Sequence, residues 1–521
     1  MNSSSVPRRS VLRTLALAVA LVGSATPAWD TTAFAAEPTT YALTITHLDR
    51  TGHRTGDYAT NVTGISGPGA DEAVHPYDAS GTTTVRLPRG RYLLDSSLTT
   101  GNEADGTDWI VQPRLDLDRD TTVTVDARTT VPVDVRPPDR SADFLHSAMF
   151  VQVTHDGATR DANLISSSPN LRVAHLGPDS EPGSVKQWFD AYWTTGTVGY
   201  ALGYTFTGPR ALTGLTRHPS PEDLATVQIR GAARPGTAGT VSVDLQPSAG
   251  PTVGVAQMLA TPGTATYLVT PERGTWDITC TAPGTRGAAP NRYSANGVAV
   301  RAGGTTTHTF DNAVFGPDLT GRPGVVRDGD RVTVDVPLLA DGDGHVPSSP
   351  QYDKASTTLH RDGVRVGTQA GAPGRAAFTV PPGSAGYRLT STVNRKGAPG
   401  TATRVTASWT FSSLTTTGPT PVPVSVVRFS PALSPTGTAA ADATLRIPVT
   451  VLGAAADGRV RSLAVSVSVD GGASWTPAPV EGGAVTIHNP RAETGVSLRA
   501  ELTDTGGNTL TQTVIDAYRT R

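Results

Sequence analysis

Eleven histidines, one cysteine and scattered serines and aspartates are the residues of this chain that could do chemistry. A serine hydrolase needs tight turns to aim its base and its hydroxyl at each other. Two arrangements of that kind leave a trace in sequence: His-Gly with a Gly-Thr-Ser nucleophile, or a Gly-x-Ser-x-Gly elbow. None of the histidines, at 47, 53, 75, 146, 155, 175, 218, 308, 345, 360 and 488, precedes a glycine, and neither serine motif occurs. Asp504-Thr505-Gly506 matches a hydrolase aspartate motif, but a lone tripeptide without partners reads as a hairpin turn. No catalytic residue is assigned. A triad assembled from distant residues leaves no such trace, so a hydrolase with an unrecognised site stays as the third reading.

Metal chemistry fares no better, because there is no His-Glu-x-x-His and no pair of cysteines. Asp341-Gly342-Asp343-Gly344-His345 has the look of a calcium loop. An EF-hand would need Asp or Asn at 345, Gly at 346 and Glu at 352, where this chain has His345, Val346 and Tyr352. A solvated turn is the better reading, and neither metal nor cofactor is expected. Cys280 alternates with Trp276 and Ile278 on one strand face and reads as a small buried hydrophobe. One cysteine closes no internal disulfide, so the cores alone must hold the domains.

Binding is the remaining chemistry. Seven aromatic residues, Trp188, Phe189, Tyr192, Trp193, Tyr200, Tyr204 and Phe206, crowd one stretch. From 198 onward Tyr200, Leu202, Tyr204 and Phe206 share one strand face, and Gly199, Ala201 and Gly203 take the other. That small face would let another sheet or backbone approach closely. Trp188, Phe189, Tyr192 and Trp193 come before the regular alternation, between Gly183 and Gly196, and are expected on a loop as the ligand-binding residues. Cross-strand packing in a β core is the competing account of the same rings.

The elements that would position these residues are strands. Tyr41, Leu43, Ile45 and His47 alternate with Ala42, Thr44 and Thr46, the period-2 pattern of a half-buried strand, and similar runs follow between turn signals such as Pro88-Arg89-Gly90. Gly (55) and Pro (41) punctuate short apolar or Thr/Val-rich runs, with no helical pattern between them. The expected fold is all-β: tandem antiparallel β-sandwich domains spanning 37–131, 132–317 (larger, irregular, with the aromatic cluster), 318–414 and 415–521. The Pro-rich 131–138 and the Thr/Pro-rich 415–423 read as linkers.

Residues 1–36 read as an export signal. Arg8, Arg9 and Arg13 form a positive head, 15–22 an apolar run too short to span a bilayer, and Ala33-Phe34-Ala35 a cleavage site. The mature chain is therefore expected outside the cell, beginning near Ala36 or Glu37, by the general or the twin-arginine route. No later run approaches a membrane span. A formal charge of -2 gives no drive toward nucleic acid.

Several strings resemble the accessory region that follows the catalytic domain in secreted subtilisin-like serine proteases of high-GC Gram-positive bacteria. They are 41–50 with Pro76-Tyr77-Asp78-Ala79-Ser80-Gly81 and Leu87-Pro88-Arg89-Gly90-Arg91-Tyr92, then Asn312-Ala313-Val314-Phe315-Gly316-Pro317, then 403–411, Ser466-Val467-Ser468-Val469-Asp470-Gly471-Gly472-Ala473-Ser474-Trp475 and 496–518. Their joint order is the specific feature. It covers nearly the whole mature chain, with 140–300 matching loosely. The resemblance implies a transthyretin-like or carboxypeptidase-regulatory-like first sandwich and a fibronectin-III or immunoglobulin-like last one. Where that family carries a peptidase domain before Tyr41, this sequence carries the signal, so no catalytic residue transfers. The first reading is thus a secreted, non-catalytic accessory protein that docks to a protein or cell-surface ligand. The second is a carbohydrate- or cell-wall-binding array using exposed Trp and Tyr. Neither fixes an oligomeric state.

Overall fold

Alternation sets the first strand as the sequence requires: in Thr40–Leu48, Leu43, Ile45 and His47 are fully buried while Thr44 and Thr46 are half-exposed. The structure, a computed structural model, describes residues 39–521 apart from 100, 102–104, 197, 234–238, 284–288 and 396–400. The export segment, 1–36, lies outside the described residues. Strands, turns and single-turn 3-10 helices make up the described chain, and it contains no α-helix. The fold class is all-β, in several separate sheets, and no helix among the described residues is long and apolar enough to cross a membrane.

The front half stacks four sheets around three cores. Sheet A is three-stranded (Thr82–Pro88, Thr40–Leu48, Thr121–Asp126), and sheet B is seven-stranded and includes Tyr58–Ser66, Gly90–Thr99, Thr107–Leu117 and Leu171–His175. Leu43, Ile45 and Val125 of A pack with Tyr92, Leu94 and Ile110 of B. The opposite face of B carries Leu93, Trp109 and Val111 against a second seven-stranded sheet, C. C runs in the order Ala158–Ser166, Asp143–His155, Val185–Thr195, Val198–Gly208, Gly263–Val269, Ala225–Gly231 and Thr305–Phe310. Its far face packs Val227, Ile229 and Tyr267 on Val243, Leu245, Trp276, Ile278 and Cys280 of the four-stranded sheet D (Val255–Thr261, Gly239–Pro247, Thr275–Ala282, Asn291–Ala299). Sheets B and C are therefore buried on both faces.

Two expectations need correction. The segment 131–138 is not a free linker: Val131–Val135 is a strand of sheet B, paired with Leu171–His175 and Leu215–Arg217, because Val133 and Val135 alternate into the core. Its Pro132 lies opposite Arg172. Likewise Thr420–Pro421, within 415–423, pairs with Gly324–Asp328. Nor is the pairing purely antiparallel. Thr40–Leu48 runs parallel to Thr121–Asp126, Leu171–His175 to Thr107–Leu117, and Ala225–Gly231 to Thr305–Phe310. These partners are distant in sequence, so no tight hairpin dictates their direction.

The rear half is built on one nine-stranded sheet whose members come from both sides of residue 414, joined where Arg404–Ser413 pairs with Thr509–Thr520. A four-stranded sheet containing Gly324–Asp328 and Arg331–Asp335 and another containing Ser425–Phe429 and Thr444–Gly453 complete a single continuous core.

Candidate functional site

The strand Val185–Thr195 carries all four expected ligand residues, in the interior of sheet C between Asp143–His155 and Val198–Gly208. The expected loop is absent because Gly183 and Gly196 bracket a strand, the second glycine forming the turn into Val198–Gly208. Period-2 alternation then divides the rings. Phe189 and Trp193, 2% and 6% exposed, face sheet B, whereas Tyr192, fully buried, faces sheet D. Trp188 is half-buried beneath Gly250, whose φ is +77° and on which a Cβ would stand 2.5 Å from the indole Nε1. The quartet forms no exposed stacking platform.

On the sheet D side, Asp190 is held by Arg273 through Nε to Oδ1 (2.9 Å) and Nη2 to Oδ2 (3.2 Å), and both side chains are 1% exposed. Burial raises the Asp190 carboxyl to about 6, against the opposing pull of Arg273 and Thr252. The small face of Val198–Gly208 makes this pair possible. A Cβ at Gly203 would lie 2.5 Å from both the Arg273 Cγ and the Asp190 Oδ1.

On the sheet B side a cleft of about 640 Å³ opens between the sheets, a volume in the range of small-ligand sites. Phe189, Ala191 and Trp193 form one wall, extended by Phe144, whose ring meets Trp193 edge-on at 5.5 Å. Val133 and Val135 form the other, and Arg50, Arg136 and Arg172 enter from three segments. Arg50 Nε donates to the Asp108 carboxylate at 2.8 Å, and Arg172 Nε stands 3.5 Å from its other oxygen. Asp108 itself is fully buried and accepts from Thr130 Oγ1 at 2.6 Å. Arg172 is braced by Thr130, donating to its carbonyl through Nη2 (2.6 Å), and Arg50 Nη1 donates to the Asp105 carbonyl. At the rim Arg136 pairs with Asp134, which also meets His218. Arg50, Asp108 and Arg172 went unrecognised in the sequence because no local spacing groups them.

The other residues with chemical potential are occupied in holding the fold. Cys280 is buried beside Trp276 and Ile278, and burial pushes its thiol up to about 12. The Asp504 carboxylate accepts from Asn508 N and Nδ2, both at 2.8 Å, in the hairpin turn expected there. The 341–345 turn is only partly solvated: Asp343 is exposed, but the turn's first residue is not. Asp341 is fully buried and accepts from the backbone N–H of Asp311, Asp343 and His345 and from His345 Nδ1, because here the loop closes on the end of sheet C. The His345 ring lies against Phe310, centroids 4.3 Å apart and planes tilted by 32°.

No family model matches the chain, and no curated protein matches it. Among solved structures, Escherichia coli alpha-2-macroglobulin activated by porcine elastase is similar over 92% of this chain at 8% identity and a TM-score of 0.12. This chain spans about half, 53%, of that one. A streptococcal ancillary pilin matches over 52% of this chain and 99% of its own (10% identity, TM-score 0.13), and the Bacillus anthracis TIE protein over 75% and 72% (12%, 0.13). Likenesses at these scores bear on neither fold nor function.

Proposed function

We propose that the chain is an exported, non-catalytic accessory protein, related to the region that accompanies subtilisin-like serine proteases, which binds a protein or cell-surface ligand. The observation that carries this reading is the cleft between sheets B and C, where guanidinium groups anchored on Asp108 face an aromatic and aliphatic wall. Guanidinium groups stay protonated at any physiological pH, so they suit recognition rather than proton transfer. The engagement of Cys280, Asp504 and Asp341 in core and turn contacts supports the same reading. Phe189, Tyr192 and Trp193 are buried and so give the carbohydrate-array alternative no stacking platform in this segment.

Four measurements test the proposal. The secreted form should begin within a few residues of Ala36, and N-terminal sequencing that finds an intact Met1 would remove the export reading. Purified mature protein should leave casein intact and take no label from a fluorophosphonate probe, while being retained on insoluble cell wall or by a protein partner. Labelling abolished by a single serine substitution would make it an enzyme.

A further inference from the structure

We infer that Asn296-Gly297 is a self-modifying site at which Asp277 acts as general base, converting the asparagine to aspartate and isoaspartate through a cyclic imide. It is the one Asn-Gly pair in the sequence. The pair lies on Asn291–Ala299, the outermost strand of sheet D, at a bulge. Trp276 is opposite Val298 and Ile278 opposite Ala295, so Asn296 and Gly297 together face the single residue Asp277. Gly297 has a φ of +66°, and no neighbour lies within 4 Å of where a Cβ would stand, so the approach to its nitrogen is open. Its N–H donates to Asp277 Oδ1 at 2.8 Å, the oxygen to which Ser248 Oγ donates at 2.5 Å. A carboxylate is therefore in place on the proton that the attacking nitrogen must shed. Asn296 is exposed, and its carboxamide takes part in no hydrogen bond among the described residues, so no contact holds it away from that nitrogen. In the reaction the Gly297 nitrogen bonds to Asn296 Cγ, its proton passes by way of Asp277 to the departing amide nitrogen, and ammonia leaves as the imide ring closes. Water then opens the imide at one carbonyl or the other, giving aspartate or isoaspartate. Either product sets a second carboxylate beside Asp277. Isoaspartate also adds a carbon to the main chain two residues before Val298, which is 8% exposed in the core between sheets C and D. The change in charge and in the strand edge is irreversible.

Incubation of the purified full chain at neutral pH tests this, with peptide mapping by mass spectrometry and enzymatic methylation of isoaspartate as readouts. Residue 296 should convert in the native protein at least about tenfold faster than in the same chain unfolded in guanidinium chloride, a modest share of what a positioned base supplies. Asp277→Asn keeps an oxygen to accept the Gly297 N–H and loses the base. It should therefore remove the native advantage while leaving the melting temperature nearly unchanged, and Asp277→Glu should restore part of it. Native conversion no faster than that of the unfolded chain would overturn the proposal, as would a folded Asp277→Asn protein that converts at the parent rate. If the variant does not fold, the comparison of native with unfolded chain in the unsubstituted protein decides it alone.

Discussion

At the scale of single residues, burial does most to decide what each group can do. His47 is fully buried in the first core, stacked on Tyr58 at 3.5 Å and bonded through Nε2 to Thr60 Oγ1 at 2.7 Å. Burial holds its pKa down to about 4 from 6.5. The unfolded chain takes up this proton below pH 6.5 and the folded chain only near 4. The contribution is therefore complete above 6.5 and declines as pH falls through that window, by about 3 kcal/mol at most. Urea unfolding at pH 7 and at pH 4.5 should show this loss, and His47→Gln should flatten part of the slope. An unchanged slope in the variant would assign the acid sensitivity to other groups. Cys280 follows the same logic: its buried, up-shifted thiol should resist thiol reagents until denaturant is added. Fast labelling of native protein would contradict the core assignment. Both residues were legible from alternation alone, since His47 and Cys280 each share a strand face with plainly apolar neighbours.

At the scale of elements, the sequence speaks where one face of a strand is wet and falls silent where both are buried. Thr40–Leu48 and Thr121–Asp126, on an outer sheet, alternate cleanly and stand where the pattern puts them. Val185–Thr195 has rings facing both neighbouring sheets, so the polar half of the pattern disappears and the segment resembles an aromatic loop. Distant partners such as Arg50, Asp108 and Arg172 meet only after Leu171–His175 has paired with Thr107–Leu117 and sheet A has packed on sheet B, which no local pattern encodes. The strand position reverses what the loop reading implies for mutants. Replacing rings on a loop would leave unfolding unchanged, whereas Trp193→Ala should cost about 3–5 kcal/mol, the range for truncating a buried large aromatic. Trp188→Ala, at a half-buried ring under Gly250, should cost less. Melting curves of the two single variants decide it, and equal small shifts would return the segment to the surface.

At the scale of the whole molecule, boundaries drawn from composition do not coincide with the limits of the sheets. Sheet B takes Val131–Val135, Leu171–His175 and Leu215–Arg217 from beyond residue 131, and the nine-stranded rear sheet crosses 414 through the pairing of Arg404–Ser413 with Thr509–Thr520. Across that second boundary Trp409 Nε1 donates to Ser425 O at 2.7 Å, and beyond it Gln512, on the strand that pairs with Arg404–Ser413, holds Val427 by both its backbone groups. A fragment spanning 318–414 would thus lose the partner of its Arg404–Ser413 strand, expose a sheet edge and uncover Trp409, which is 1% exposed in the intact chain. A fragment spanning 318–521 keeps the rear-sheet pairing and these hydrogen bonds, and all of the rear core except Val314 and Phe315. Expression of the two should give a soluble, cooperatively melting 318–521 and an aggregating or unfolded 318–414. The front and rear halves are tied in turn at the Asp341 turn, where Gly342 N donates to Asn312 O and Asp311 N to Asp341 Oδ2, and at Ala233 N to Pro435 O. Calorimetry of the 318–521 fragment should show one transition rather than two, because a single core and a continuous sheet give neither sandwich a surface at which to unfold alone. Two separate transitions, or a well-folded 318–414, would show that each sandwich is stable by itself and that the shared sheet merely joins them.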